Sequence, residues 1–331
     1  MPVSRRHTRG VRWPEVAARA APPTGVAVTA DVVVVGSANM DLVVSTATLP
    51  RPGETVLGTD FLSVPGGKGA NQAVAAARAG ARCHFIGAVG RDAFGDELRG
   101  SLAAAGVDLD GLRRVDGPSG VALIAVDAAA ENIIVVAPGA NAQLTALDEA
   151  DLALVAGGDA VVCQLEIPPE AVAQALRAGR GGGILTILNA APVRPLPDGL
   201  LDAVDVLVVN RGEAAALAGA DGSPGELLER LLAAVPRVVL TLGAAGAAYA
   251  DRTGVRLQVP APRVEAVDST AAGDAFTGAL AVALAEGRPV LDALRWACAA
   301  GACCARRRGA SPSLPTVAEI TTLYTATYVT G

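Results

Sequence analysis

A chain of 331 residues is long enough for one large α/β domain with a small appendage. Hydrophobic residues make up 51% and charged residues 18%, which excludes a disordered chain; with aromatics at only 3%, the core must be built from Ala, Val, Leu and Ile. A formal net charge of −6 excludes a general attraction for nucleic acid or an anionic membrane surface, so any phosphate-handling site has to be local.

Residues 1–30 set Arg5, Arg6, Arg9, Arg12 and Arg19 against the single acid Glu15. Ser4-Arg5-Arg6 looks superficially like a twin-arginine export signal, but Arg12, Pro14, Glu15 and Arg19 interrupt the apolar stretch that should follow. The segment is expected to be a flexible extension, with one α/β domain over 31–331. Residues 31–36 (DVVVVG), 83–89 (CHFIGAV), 160–166 (AVVCQLE), 183–189 (GILTILN), 204–210 (VDVLVVN) and 237–243 (RVVLTLG) have the near-continuous apolar character of strands covered on both faces. Helix-like stretches at 71–79, 94–105, 169–178 and 225–234 lie between them. The alternation predicts a doubly wound, mostly parallel sheet flanked by helices, with ligands at the carboxyl ends of its strands. Residues 42–64 and 120–137 lack helical periodicity and are expected to form a small second sheet, either a lid over the site or a cap on the sheet edge. The glycine tract 179–183 is expected to be a helix-ending turn. No apolar run approaches the roughly 18 to 20 residues of a membrane helix. Five cysteines, an odd number with two adjacent, suit reduced thiols in the cytoplasm.

Three polar constellations stand out. In 268–278 (DSTAAGDAFTG), the small residues Ala271, Ala272 and Gly273 allow close approach of a ligand, and a strong helix former follows. Their amides at a helix N-terminus would make an anion hole for a transferring phosphoryl group. Asp274 in the first turn is a simple helix-capping acid or a general base. Gly66-Gly67-Lys68-Gly69-Ala70-Asn71 opens a helix but is not a Walker phosphate loop, because Gly69 follows Lys68. Asn39 and Asp41, spaced by two in extended chain, point to the same side and either grip a vicinal diol or form an Asx turn.

DSTAAGDAFTGAL and GGKGANQAVAAARAG together resemble the two signatures of the ribokinase (PfkB) family of carbohydrate kinases, and the resemblance covers roughly residues 31–315. It implies a ribokinase-like fold with a small β-sheet lid that hinges at the diglycine. It further implies Asp274 as base beside the Ala271–Gly273 anion hole, and a sugar site of Asn39, Asp41, Gly67, Lys68, Asn71 and Glu166, the set expected for ribose. Glu166 stands in Gln164-Leu165-Glu166. The family's N-x-x-E element matches Asn210 and Glu213, with Arg211 where an acid is usual; it implies water-mediated Mg²⁺ and phosphate handling, against the plain alternative of a helix cap. Thr241, Gly243 and Gly246 match a nucleotide loop that also reads as a simple turn, and Asn210 and Gly273 join the nucleotide set. A monovalent cation, K⁺, is implied at Asp268, Thr270, Cys304, Arg307, Gly309 and Ser313, although Arg306-Arg307-Arg308 also reads as a solvated basic turn. The implied partners are ribose and ATP, with a homodimer formed through the lid. Other sugar or nucleoside kinases of the family, and a catalytically inactive sugar-binding regulator, are the rival readings. A dinucleotide oxidoreductase lacks its fingerprint, since no GxGxxG follows the first strand.

Overall fold

The computed structural model describes residues 29–129 and 131–329, so the expected extension over 1–30 lies outside the described residues except for its last two positions. β1 (Asp31–Val35) is followed by the antiparallel pair β2 (Asn39–Thr46) and β3 (Gly58–Gly66), and then by α1 (Lys68–Arg78). Next come β4 (Arg82–Gly90), α2 (Ala93–Ala104), β5 (Leu112–Val115) and a second antiparallel pair, β6 (Gly120–Val126) and β7 (Asn132–Ala137). Alternation resumes with α3 (Glu149–Gly157), β8 (Ala160–Cys163), α4 (Pro169–Gly182), β9 (Leu185–Asn189), β10 (Val206–Asn210), α5 (Arg211–Leu217), α6 (Pro224–Leu231) and β11 (Arg237–Thr241). The last elements are β12 (Ala247–Asp251), β13 (Arg256–Val259), α7 (Ala272–Ala285), α8 (Val290–Cys304) and α9 (Val317–Tyr328).

Nine strands form one sheet in the order β13-β12-β11-β10-β9-β8-β1-β4-β5. It is parallel from β5 to β11, and β12 and β13 add an antiparallel edge. The alternation of β1 shows why the apolar runs are continuous. Val32 and Val34 face a layer containing α1, α7 and α8, while Val33 and Val35 face a layer containing α4 and α6. Both faces are covered, so neither set can be polar. The second sheet, in the order β3-β2-β6-β7, stands beside the carboxyl ends of these strands and is larger than the expected segments: it takes in Asn39 and Gly66.

Two local readings are corrected. Gln164, Leu165 and Glu166 lie beyond the end of β8, because Gln164 turns its amide to Gln72 and the Leu165 amide bonds to Ala191 O. The helix expected over 169–178 is longer: α4 runs through Gly182, and the glycine tract ends it at Gly183, whose φ of 75° is the left-handed turn the helix end needs. Among the described residues no helix is long and apolar enough to cross a membrane. All five cysteines are buried and unpaired.

Candidate active site

The site is assembled where α1 meets the turn between β1 and β2. A Cβ on Gly69 would lie 2.4 Å from the Ser37 amide nitrogen, and one on Gly67 (φ 87°) 2.6 Å from that of Asn39. Only glycine lets the helix start against this turn. Glu166 then pins the junction. Its Oε2 accepts from the Lys68 amide at 3.0 Å, the Ser37 hydroxyl at 2.5 Å and, more weakly, Asn39 Nδ2 at 3.4 Å. A carboxylate at a helix N-terminus is stabilised by the unsatisfied amides there. Asn141, from the loop after β7, accepts from the Ala38 amide at 2.9 Å and donates to Asn39 Oδ1 at 2.8 Å.

Asn39 and Asp41 are both buried on β2, as their spacing requires. Asp41 leans over Gly66, where a Cβ would fall 2.2 Å from its Oδ2. Burial, then the negative charges of Glu166 and Asp274, push the Asp41 carboxyl up to about 7 against the pull of Lys68. For Lys68, burial works to lower the ammonium, but Asp274, Glu166, Glu213 and Asp41 together outweigh it and hold the group above its ordinary value. Lys68 thus stands near enough to four carboxylates for their charges to act on it.

Asp274 arrives from the other side. Ala271 precedes α7 in the left-handed region (φ 59°), the one non-glycine residue among those described to do so. Such strain persists where the surroundings over-determine it, and here it turns the chain sharply into the helix. The Ala272 amide donates to Ser269 O at 3.1 Å, and the first helical bond runs from Ala275 N to Ala271 O at 2.8 Å. The Gly273 and Asp274 amides between them form the open first turn, and a side chain on Gly273 would meet no atom within 4 Å. Of the three expected anion-hole residues, Ala272 therefore has its amide committed within the loop. The Asp274 carboxylate is buried: Oδ2 accepts from Asn71 Nδ2 at 3.1 Å and Oδ1 from Gln72 Nε2 at 2.8 Å. Burial raises its pKa, with Lys68 and the two amides opposing.

Gln72, Ser37, Asn141 and Asn189 were not singled out from the sequence. Each acts through partners distant in the chain, as Gln72 does through Asn189, 117 positions away, and only the family resemblance of the segment around Gln72 could have flagged one of them.

The remaining predicted residues fall into two groups around this centre. Asn210 caps α5: its Oδ1 accepts from the Glu213 amide at 2.9 Å, and Glu213 Oε2 accepts from the Asn210 amide at 2.7 Å. This reciprocal box is the plain reading of N-x-x-E. Glu213 is nonetheless raised, by burial first, with Lys68 and Asp274 close enough to act on it. Thr241 ends β11, Gly243 opens a tight turn onto free space, and Gly246 (φ 96°) sits where a Cβ would fall 1.9 Å from Val259 O. Arg211 reaches away, to Gly222 O and Asp221.

Asp268 accepts from Thr270 N and Oγ1 through Oδ1, and from the Gly309 amide at 2.9 Å through Oδ2. Cys304 Sγ lies 3.5 Å from Thr270 O and 3.0 Å from Ser313 Oγ, which donates to Ala310 O. Asp268, Thr270, Cys304, Gly309 and Ser313 are therefore one cluster. The Arg307 side chain leaves it to pair with Glu319 on α9, so the basic turn is partly neutralised rather than pointed into the cluster. No group of three or more acidic, Cys or His side chains suited to a metal occurs among the described residues.

This arrangement has relatives. Residues 29–317 match the model of the pfkB family carbohydrate kinases. The ribokinase of Schizosaccharomyces pombe is 39% identical over 306 residues, covering 88% of this chain and 96% of that protein. The ribokinase of Bacillus subtilis is 41% identical over 295 residues, covering 88% and 98%. In three dimensions the structure of Arabidopsis thaliana ribokinase complexed with ribose and ATP superposes with a TM-score of 0.84 at 33% identity, covering 90% of this chain and 99% of that one. A match that runs unbroken from β1 to the start of α9, through both glycine turns, makes this chain a member of the pfkB family of carbohydrate kinases.

Proposed function

We propose that the chain transfers the γ-phosphoryl group of ATP to the O5 hydroxyl of D-ribose, with Asp274 as general base. The observation that carries this reading is the pairing, within one helical turn, of a buried carboxylate with open amides. Asp274 is hydrogen-bonded to Asn71 and lies close enough to Asp41 to act on its carboxyl, while the Gly273 and Asp274 amides fall in the first turn of α7, with open space over Gly273. A base of this kind contributes about 10²–10⁴ in rate, and each preorganised donor to the phosphoryl oxygens about 10²–10³. The names of the related ribokinases, and the ribose and ATP of the Arabidopsis complex, support the choice of substrates.

Asn39, Asp41, Lys68 and Asn71 hold the sugar, and Asn71 Oδ1, buried with no partner among the described residues, is the acceptor best placed for a hydroxyl proton. Thr241, Gly243 and Gly246 line the nucleotide loop. Glu213 keeps Oε1 out of its cap, which suits a Mg²⁺ held by ATP phosphates and reached through water. When bound, Mg²⁺ neutralises the phosphate charge that builds up during transfer. The oxygens around Asp268, Thr270 and Ser313 suit K⁺.

The small sheet acts as a lid, hinged at Gly66 and Gly67, whose closure excludes water and restrains ATP hydrolysis. Phe61, Leu62, Leu123, Ile133, Ile134, Val135 and Val136 leave it with an exposed apolar surface, which supports a homodimer formed through the lids. Buried, unpaired cysteines fit a reducing cytoplasm.

A phosphorylation screen with ribose, 2-deoxyribose, fructose and adenosine tests the substrate. Ribose should give the highest kcat/KM, and a clear preference for any of the others would overturn the assignment.

A further inference from the structure

Gln72 follows Asn71 on α1 and is fully buried. Its Nε2 donates to Asp274 Oδ1 at 2.8 Å and to Asn189 Oδ1 at 2.9 Å, while its Oε1 accepts from Gln164 Nε2 at 2.7 Å. Both protons of the NH₂ group are used. The direction of this chain is set from its far end. Asn189, the last residue of β9, stands 3.1 Å from the carbonyl oxygen of Val208. A carbonyl only accepts, so Asn189 must turn its NH₂ toward β10 and its oxygen toward Gln72. That oxygen demands a donor, and the NH₂ that answers it is the one that reaches Asp274. Gln164, just past β8, holds the other end by donating to Oε1. The donor offered to Oδ1 therefore cannot turn over.

The two oxygens of Asp274 are held differently. The partner of Oδ2, Asn71, lies in the first turn of α1 and has its own Oδ1 unsatisfied, so it keeps an unused acceptor for a substrate hydroxyl. We propose that Gln72 is a positioning residue for the base: its carboxamide, oriented by Asn189 and Gln164, fixes Oδ1 as a permanent acceptor and leaves Oδ2 to take the proton of the sugar hydroxyl. The inference rests on the reading of Asp274 as base. In the step, the hydroxyl O–H bond breaks and its proton passes to Oδ2. The electron pair left on oxygen forms the bond to the γ-phosphorus, and the bond from that phosphorus to the β–γ bridging oxygen breaks with its electrons leaving on ADP.

The test is Gln72→Met, which keeps the side chain's length and removes the amide. The single-turnover rate should fall about tenfold or more, with KM for ribose and ATP within about twofold of wild type. The acid limb of its pH profile should move up by about one unit, because a hydrogen bond favouring the charged carboxylate is gone. A merely structural role would lower the rate by the fraction of misfolded enzyme and leave the limb in place. Gln164→Met loosens Gln72 without touching Asp274; it should shift the limb the same way by less, and it decides the matter where Gln72→Met fails to fold. An acid limb coincident with wild type in the folded variant overturns the proposal. Asp274→Asn is assayed alongside. If it retains activity, the base assignment itself falls; if it is inert while the limb of the Gln72 variant is unmoved, only the role of Gln72 falls.

Discussion

Gly278 of α7 lies against Gln72 of α1 so closely that a Cβ there would sit 2.8 Å from the Gln72 carbonyl oxygen and 2.6 Å from Ala75 Cβ. Gly278 is one turn beyond Asp274, on the same face of its helix. This contact sets how near Asp274 comes to Asn71 and Gln72. Gly278→Val should force the helices apart and cost about 1–3 kcal/mol, the usual penalty of overpacking. Calorimetry should show a lower Tm, and the folded fraction should turn over more slowly because the proposed base, Asp274, has moved. A variant as stable and as active as wild type would mean that the helix contact does not position the site.

Asp274→Asn removes the proposed base while keeping its shape. Ribose should still bind, within a fewfold of wild type by calorimetric titration, while kcat falls at least about a hundredfold. The carboxamide also turns an NH₂ group toward Asn71 or Gln72, both of which are donors here, so a modest loss of Tm is expected beside the loss of rate. Retained turnover would refute the assignment.

Asp41 gives a prediction in pH. Its carboxyl is pushed up to about 7 in the folded protein, chiefly by burial and then by Glu166 and Asp274. A carboxyl raised on folding contributes stability that is fully present below its unfolded value, about 4, and is lost as pH rises through the folded value. Asp41→Asn does not titrate. The Tm of the variant minus that of wild type, measured without ligands, should therefore grow between about pH 4 and pH 7 and level off above. A difference that stays flat across this range would show that Asp41 is ionised at little cost.

The six central strands were legible because burial on both faces leaves no room for polar residues, as the run Val32 to Val35 shows. β5, β12 and β13 were not. The edge strands β5 and β13, such as Arg256–Val259, carry mixed character because one side meets solvent or a loop, and β12 is a short, Ala-rich run with weak strand preference although it is buried. In the site, residues embedded in a long motif could be named from the chain, among them Asn71 and Asp274. The hydrogen bonds that make them a site could not, because Gln72, Asn189 and Gln164 come together from α1, β9 and the end of β8. Asn39 and Asp41 were placed on the correct common face, but they open a strand of the second sheet instead of extending the end of β1.

Asn210 and Glu213 allow the cap and the proposed metal role to be separated. In Glu213→Gln the side-chain carbonyl oxygen can still accept from the Asn210 amide, so the box that opens α5 survives while the charge is lost. Its Tm should stay within about 1 °C of wild type, since a hydrogen bond of similar geometry is kept. The Mg²⁺ concentration needed for half-maximal activity should rise severalfold. Asn210→Ala does the reverse: it removes the acceptor for the Glu213 amide, costs about 1 kcal/mol of stability and leaves the Glu213 charge in place. If Glu213→Gln responds to Mg²⁺ like wild type, the element is a helix cap and nothing more, and the metal must be held by the nucleotide and water without it.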